Sequence, residues 1–202
     1  MPLARAVLAT GNVGKLVELR RILADAGRST ELLGLADVPA YPDPVETGAT
    51  FTENALLKAR ACAAATGLPA IADDSGLVAD ALGGMPGVLS ARWAGRHGDD
   101  AANLDLVLGQ LADVPDERRG AGFVCAAALV VPAGVDAGPR EEVVEAVWRG
   151  TLVRAPRGTN GFGYDPIFVP LGERLTSAEL DPAAKDARSH RGQAFRMLAA
   201  RL

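Results

Sequence analysis

Two adjacent carboxylates, a hydroxyl and a glycine, Asp73-Asp74-Ser75-Gly76, stand between an apolar run at 68–72 and a second at 77–79. A short apolar run bounded by such residues reads as a buried strand, and open α/β sheets collect their ligands where strands end. Side chains alternate across a strand, so only one of Asp73 and Asp74 can face a given site directly. A carboxylate there can hold a hard cation such as Mg²⁺ and orient a water, while Ser75 beside it can donate to an anion. Asp, Ser and Gly also build turns and caps. The segment therefore takes its meaning from the residues that accompany it.

Gly11-Asn12-Val13-Gly14-Lys15 follows an apolar strand and opens a helix. Backbone N–H groups at a helix start, with a lysine nearby, favour anions. This is not the phosphate loop of P-loop kinases: its glycines stand too close together, and Leu16 replaces the Ser or Thr that would hold Mg²⁺. Glu46 supplies a loop carboxylate, useful to a cation where the fold brings it to Asp74. Lys58, one turn after Asn54, reads locally as a solvated helix lysine. Phe162-Gly163-Tyr164-Asp165 sets an aromatic between glycines, able to approach a flat ligand closely, with a carboxylate nearby. Base stacking on such a ring is worth about 1–3 kcal/mol in single-stranded nucleic-acid complexes. Ser189-His190-Arg191-Gly192 begins the last helix just after Lys185, and an arginine fork suits carbonyl and phosphate oxygens. A Ser/His/Asp nucleophile is set aside, because the sequence holds no nucleophile-elbow motif.

The elements that must position these residues follow from periodicity and caps. A strand at 6–9 leads into a helix carrying Leu16, Leu19, Ile22, Leu23 and Ala26, stopped by Gly27. Residues 31–45 read as loop with one short strand. Thr50 and Glu53 fit a capping box that opens a helix to Thr66, stopped by Gly67, and its alanines suit close packing on a sheet. The strand at 68–72 is expected to end at the Asp pair. Glycines and prolines through 83–98 predict a mobile loop holding Trp93. Asp99 caps a helix with Leu104, Val107, Leu108 and Leu111. Strands at 123–131 and 142–148, joined by the loop 132–139, read as an antiparallel pair. The glycine-rich 158–166, a strand at 167–169 and a helix beginning near Ser189 complete the chain. A β-α-β start followed by a hairpin predicts a mixed sheet with helices on its faces.

The chain has 202 residues, enough for one domain with a substantial core. A net charge of −4 gives no basic footprint for nucleic acid or an anionic membrane, so a polyanion must be met by a local cluster of cations. There is no apolar run of membrane-spanning length or signal-peptide type. Cys62 and Cys125 read as buried core residues of a reduced, cytoplasmic protein. With His97 and His190 as its only histidines, the chain does not suit zinc.

In this order and spacing the blocks resemble the ITPase-like (HAM1-like) family of non-canonical purine nucleoside triphosphate pyrophosphatases, the XTP/dITP pyrophosphatases. The resemblance runs from Ala9 to Arg191. It rests on Ala9 to Lys15, Glu46-Thr47-Gly48 with Glu53-Asn54-Ala55 and Lys58-Ala59, Ala72 to Leu77, Pro86-Gly87 with Ser90-Ala91-Arg92, Gly161 to Pro166, and Ser189 to Gly192. A longer hairpin loop at 132–140 and Asn160 depart from the pattern, outside the matched functional residues. The resemblance implies one α/β domain over 1–202, an α/β/α arrangement about a long mixed central sheet, with two lobes and an active-site cleft between them. It implies a homodimer that hydrolyses ITP, dITP and XTP to the monophosphate and pyrophosphate with Mg²⁺. On that pattern Thr10, Gly11, Asn12, Val13, Gly14 and Lys15 line the triphosphate. Ser75, Lys58 and Lys185 contact phosphates. Glu46 and Asp74 serve the metal with Asp73 as a partner beside them, and Asp74 accepts the proton of the attacking water. Phe162, Gly163, Tyr164 and Asp165 form the base pocket with His190 and Arg191. The competing readings are a Maf-like pyrophosphatase of other base specificity and a non-catalytic nucleotide-binding module, the latter at odds with intact acids at 46, 73 and 74.

Overall fold

The computed structural model describes residues 3–135 and 138–202. Two residues of the expected long hairpin loop, 136 and 137, lie outside the described residues. Strand β1 (Arg5–Leu8) leads to helix α1 (Val13–Asp25). Asn12 begins that helix by accepting from Gly14 N and Lys15 N, and Leu19, Ile22 and Leu23 bury its inner stripe. After the short β2 (Glu31–Leu33), α2 (Phe51–Thr66) starts as its capping residues predict. Thr50 Oγ1 accepts from Glu53 N, and the Glu53 carboxylate reaches back one residue further than in a capping box, to Ala49 N at 2.6 Å. Gly67 closes the helix at φ +69°, where a residue with a Cβ would be strained.

Strand β3 (Ala70–Ala79) departs from expectation, since it runs straight through the Asp pair instead of ending there. Tertiary packing overrides the turn preference of Asp, Ser and Gly. Ser90 Oγ accepts from Leu77 N at 2.9 Å and donates to Gly87 O. Only a glycine fits at position 76, because a Cβ there would run into Ser90 Oγ and come within 2.6 Å of Gly87 O. The expected mobile loop at 83–98 contains a 3-10 turn, Gly87–Arg92, preceded by another at Asp80–Leu82. Glycines and prolines there shape tight turns.

Helix α3 (Asp100–Gln110), capped by Asp99, precedes β4 (Gly120–Val131) and β5 (Arg140–Leu152). β4 is buried on both faces, which its unbroken run of small apolar residues permits, whereas β5 alternates buried and exposed residues beyond Val144. β6 (Phe168–Pro170) follows. A further helix outside those expected, α4 (Pro182–Arg188), comes next, and the extended backbone of Ser189 separates it from the last helix, α5 (His190–Ala199), which begins where expected. The strands form one sheet in the order β2-β1-β3-β4-β5-β6, parallel for β1 with β2 and β3, antiparallel for β5 with β6. This is the mixed sheet expected.

By its contacts the chain divides into two compact units. The first comprises Met1–Asp74, Cys125–Ala146 and Arg191–Leu202, with a core of Leu8, Leu19, Ile71, Leu129, Phe195 and neighbours. The second comprises Ser75–Val124 and Val147–His190, centred on Leu77, Val107, Phe123, Trp148 and Phe168. Cys62 and Cys125, both free, are buried in the first unit as expected.

Candidate active site

In the first unit the candidate residues gather on the two faces of β3. Asp73 points to Lys15 of α1, whose Nζ donates to its oxygens at 2.9 and 2.7 Å. Arg191 approaches the same carboxylate, Nε to Oδ2 3.5 Å. Burial opposes the charge of Asp73, but Lys15 and then Arg191 outweigh it and hold the carboxyl at about 2. Lys15 and Arg191, expected at opposite ends of a substrate, thus converge on one buried acid.

Asp74 turns to different partners, as strand alternation requires. Lys58 Nζ of α2 donates to Glu46 Oε1 at 2.8 Å and to Asp74 Oδ1 at 3.2 Å. The helix lysine that reads locally as solvated is the tie between two acids. Burial raises the Asp74 carboxyl; Lys58 counters this, and the nearby charge of Glu46 adds to it, leaving the pKa raised from its ordinary value. The same acids raise Lys58 against the effect of its burial, so it stays charged.

Asn54, absent from the residues expected to act, completes this group. Its side chain is fully buried, Oδ1 accepting from Gly48 N at 2.8 Å and Nδ2 donating to Asp74 Oδ2 at 3.1 Å. A peptide N–H can only donate, so the amide orientation is fixed and the Glu46 loop is tied to Asp74. One signal was available in the sequence: asparagine is a poor residue for an alanine-rich helix unless its amide is used. Thr10 Oγ1 accepts from Asn12 N, and Gly11 and Asn12 are exposed, as are Val13 and Gly14 at the start of α1 ahead of Lys15.

The second unit holds the other group. Asp165 is buried, accepting from Phe162 N at 2.9 Å and Ser177 Oγ at 2.7 Å, and it pairs with Lys185. Lys185, expected at phosphates, therefore lies with the aromatic loop. Tyr164 OH donates to Ser90 O at 2.8 Å, and Gly163 N to Asp100 Oδ2 at 2.9 Å. A Cβ on Gly161, which has φ +81°, would collide with the Asp165 carboxylate. Phe162 remains 58% exposed. His190 is buried and stacks on Phe123, centroids 5.0 Å apart and planes 14° from parallel. Ser75 follows Asp74 on β3, half-buried.

The first unit of this mixed-sheet α/β protein thus holds paired acids on a shared lysine, and the second an aromatic held between glycines. The chain belongs to the Ham1 family, whose profile matches residues 6–201. It is 63% identical over 199 residues to the dITP/XTP pyrophosphatase of Nocardia farcinica (strain IFM 10152), covering 98% of this chain and 94% of that protein. It is 61% identical over 196 residues to the protein of that name from Streptomyces coelicolor, covering 97% and 96%. Among solved structures it resembles a HAM1 protein from Coxiella burnetii, with TM-score 0.88, 44% identity and 98% of each chain covered. It also resembles a nucleoside-triphosphatase / dITP/XTP pyrophosphatase from Mycobacterium abscessus, with TM-score 0.79, 57% identity and coverage of 96% and 98%.

Proposed function

We propose that this chain hydrolyses ITP, dITP and XTP to the monophosphate and pyrophosphate, removing them from the nucleotide pool of the cytoplasm. Family membership and the activity named for its relatives support the reaction class. The observation that carries the chemistry is the single ammonium of Lys58 shared by Glu46 and Asp74. Two hard oxygen donors brought to one cation fit a divalent metal, whose remaining positions substrate phosphates and waters fill. We assign Glu46 and Asp74 to Mg²⁺, with Asp73 beside them acting through Lys15 and Arg191. When bound, Mg²⁺ neutralises charge on the phosphate oxygens.

Thr10 to Lys15, Lys58 and Ser75 bind the triphosphate. Water attacks the α-phosphorus, Asp74 takes its proton, and the α–β bridging bond breaks to release pyrophosphate. A carboxyl raised by burial is the better proton acceptor for that step. Phe162, Gly163, Tyr164 and Asp165, with Lys185, His190 and Arg191, take the base. Inosine and xanthine present an acceptor at position 6 where adenine presents a donor, so donors such as Arg191 and Lys185 favour the former and clash with adenine. We further propose a homodimer, which a solution mass measurement tests. The chain should release pyrophosphate from dITP, ITP and XTP with Mg²⁺, and act far more slowly on ATP and GTP. Orthophosphate as first product, or ATP as preferred substrate, refutes the reading.

A further inference from the structure

The peptide planes on either side of Phe162 are each held by a carboxylate. On the N-terminal side Phe162 N donates to Asp165 Oδ2, and on the C-terminal side Gly163 N donates to Asp100 Oδ2, both at 2.9 Å. The φ and ψ of a residue are the relative orientation of its two flanking planes, and they set where its side chain leaves the backbone. Two acids from different parts of the second unit therefore fix the aim of the Phe162 ring. They are not equivalent. Asp165 is buried and also takes Ser177 and Lys185, so closure of the loop depends on it. Asp100 is exposed on the first turn of α3, and the capping of that helix falls to Asp99.

We propose that Asp100 is a positioning residue for purine recognition: through the Gly163 amide it holds the Phe162 ring at the angle on which a purine base stacks. The proposal rests on the reading of the chain as a purine nucleotide pyrophosphatase and adds to it a residue that does not touch the ligand.

The test compares the full chain with Asp100→Ala, Asp100→Asn, Phe162→Ala and the Phe162→Ala/Asp100→Ala pair. Three quantities are read: dITP kinetics, inhibition by inorganic tripolyphosphate, which has no base, and hydrogen exchange of the Gly163 amide. Loss of one hydrogen bond to a charged acceptor at an exposed site should raise the dITP KM roughly three- to tenfold in Asp100→Ala, with kcat within about twofold. Tripolyphosphate inhibition should not change, Gly163 exchange should accelerate, and Asp100→Asn, which keeps the acceptor oxygen, should restore both KM and protection. In the Phe162→Ala background, Asp100→Ala should add nothing. Unchanged Gly163 exchange, an equal loss of tripolyphosphate binding, or additive effects in the double variant overturns the proposal. If the unsubstituted chain does not hydrolyse dITP, the functional reading and the purine part fall together, while Gly163 exchange separately decides the tether.

Discussion

Replacing Asp73 with asparagine tests the buried charge cluster directly. Asparagine keeps the shape but leaves Lys15 and Arg191 facing one another without their counter-charge. Removing one partner from a buried ion pair costs about 3–5 kcal/mol. Part of that cost is set by pH. Burial opposes ionisation of Asp73, yet Lys15, Arg191 and Lys58 hold its carboxyl at about 2, whereas an unfolded aspartate titrates near ~3.9. At ~1.4 kcal/mol per pKa unit the difference favours the folded chain by about 2–3 kcal/mol. Because the folded value is the lower, this contribution is complete above about pH 4 and is lost as pH falls through about 2. Urea unfolding of the parent and Asp73→Asn, in metal-free buffer from neutral pH to about pH 2, gives the stability gap at each pH. It should be about 3–5 kcal/mol at neutrality and shrink by about 2–3 kcal/mol toward pH 2. A gap that stays constant, or is absent at neutral pH, refutes the account of Asp73 as the counter-charge to two buried cations.

Asp74→Asn should lower turnover by about 10²–10⁴-fold if Asp74 accepts the proton. It should not destabilise the fold, because burial and Glu46 already oppose the charge it removes; near-normal kcat, or a collapse in urea stability, contradicts this. In the metal-free parent the Asp74 carboxyl, followed by NMR, should titrate above an ordinary aspartate because of its burial, and a titration at or below the ordinary value contradicts this. Gly76→Ala should cost about 1–3 kcal/mol in urea unfolding, as overpacking does, by forcing Ser90 and the Gly87 carbonyl away from β3; a neutral result shows that this turn is soft.

Much of the fold was legible because local chemistry and tertiary structure agree there. Thr50, Gly67 and Asp99 announce their helix ends by capping, and β4 announces its burial by an apolar run without alternation. Legibility failed where distant residues decide. Asp-Asp-Ser-Gly has the composition of a turn, yet it continues as a strand in the middle of the sheet, with Leu77 N on Ser90 Oγ and Ala79 N on Met85 O beyond it. For the candidate site the acids were found by type, but their partners were not. Nothing near Lys58 in sequence reveals that Glu46 and Asp74 share it. Nor does spacing disclose that Lys15 and Arg191, from α1 and α5, meet on Asp73. Asn54 stood out only as a poor helix former among alanines; its partners, Gly48 and Asp74, are tertiary.

The two cysteines give the folded chain a chemical clock. Both are fully buried, and burial raises both thiols, Cys62 beside Tyr41 and Cys125 within reach of the charge of Asp73. Alkylation requires an accessible thiolate, so each sulfur reacts only when its surroundings open. Labelling at Cys125 then times the opening of β4 near the Asp73 cluster, while labelling at Cys62 times the release of α2, which carries Asn54 and Lys58. Opening at α2 and at β4 can be read separately, from the masses of the two cysteine peptides in one digest.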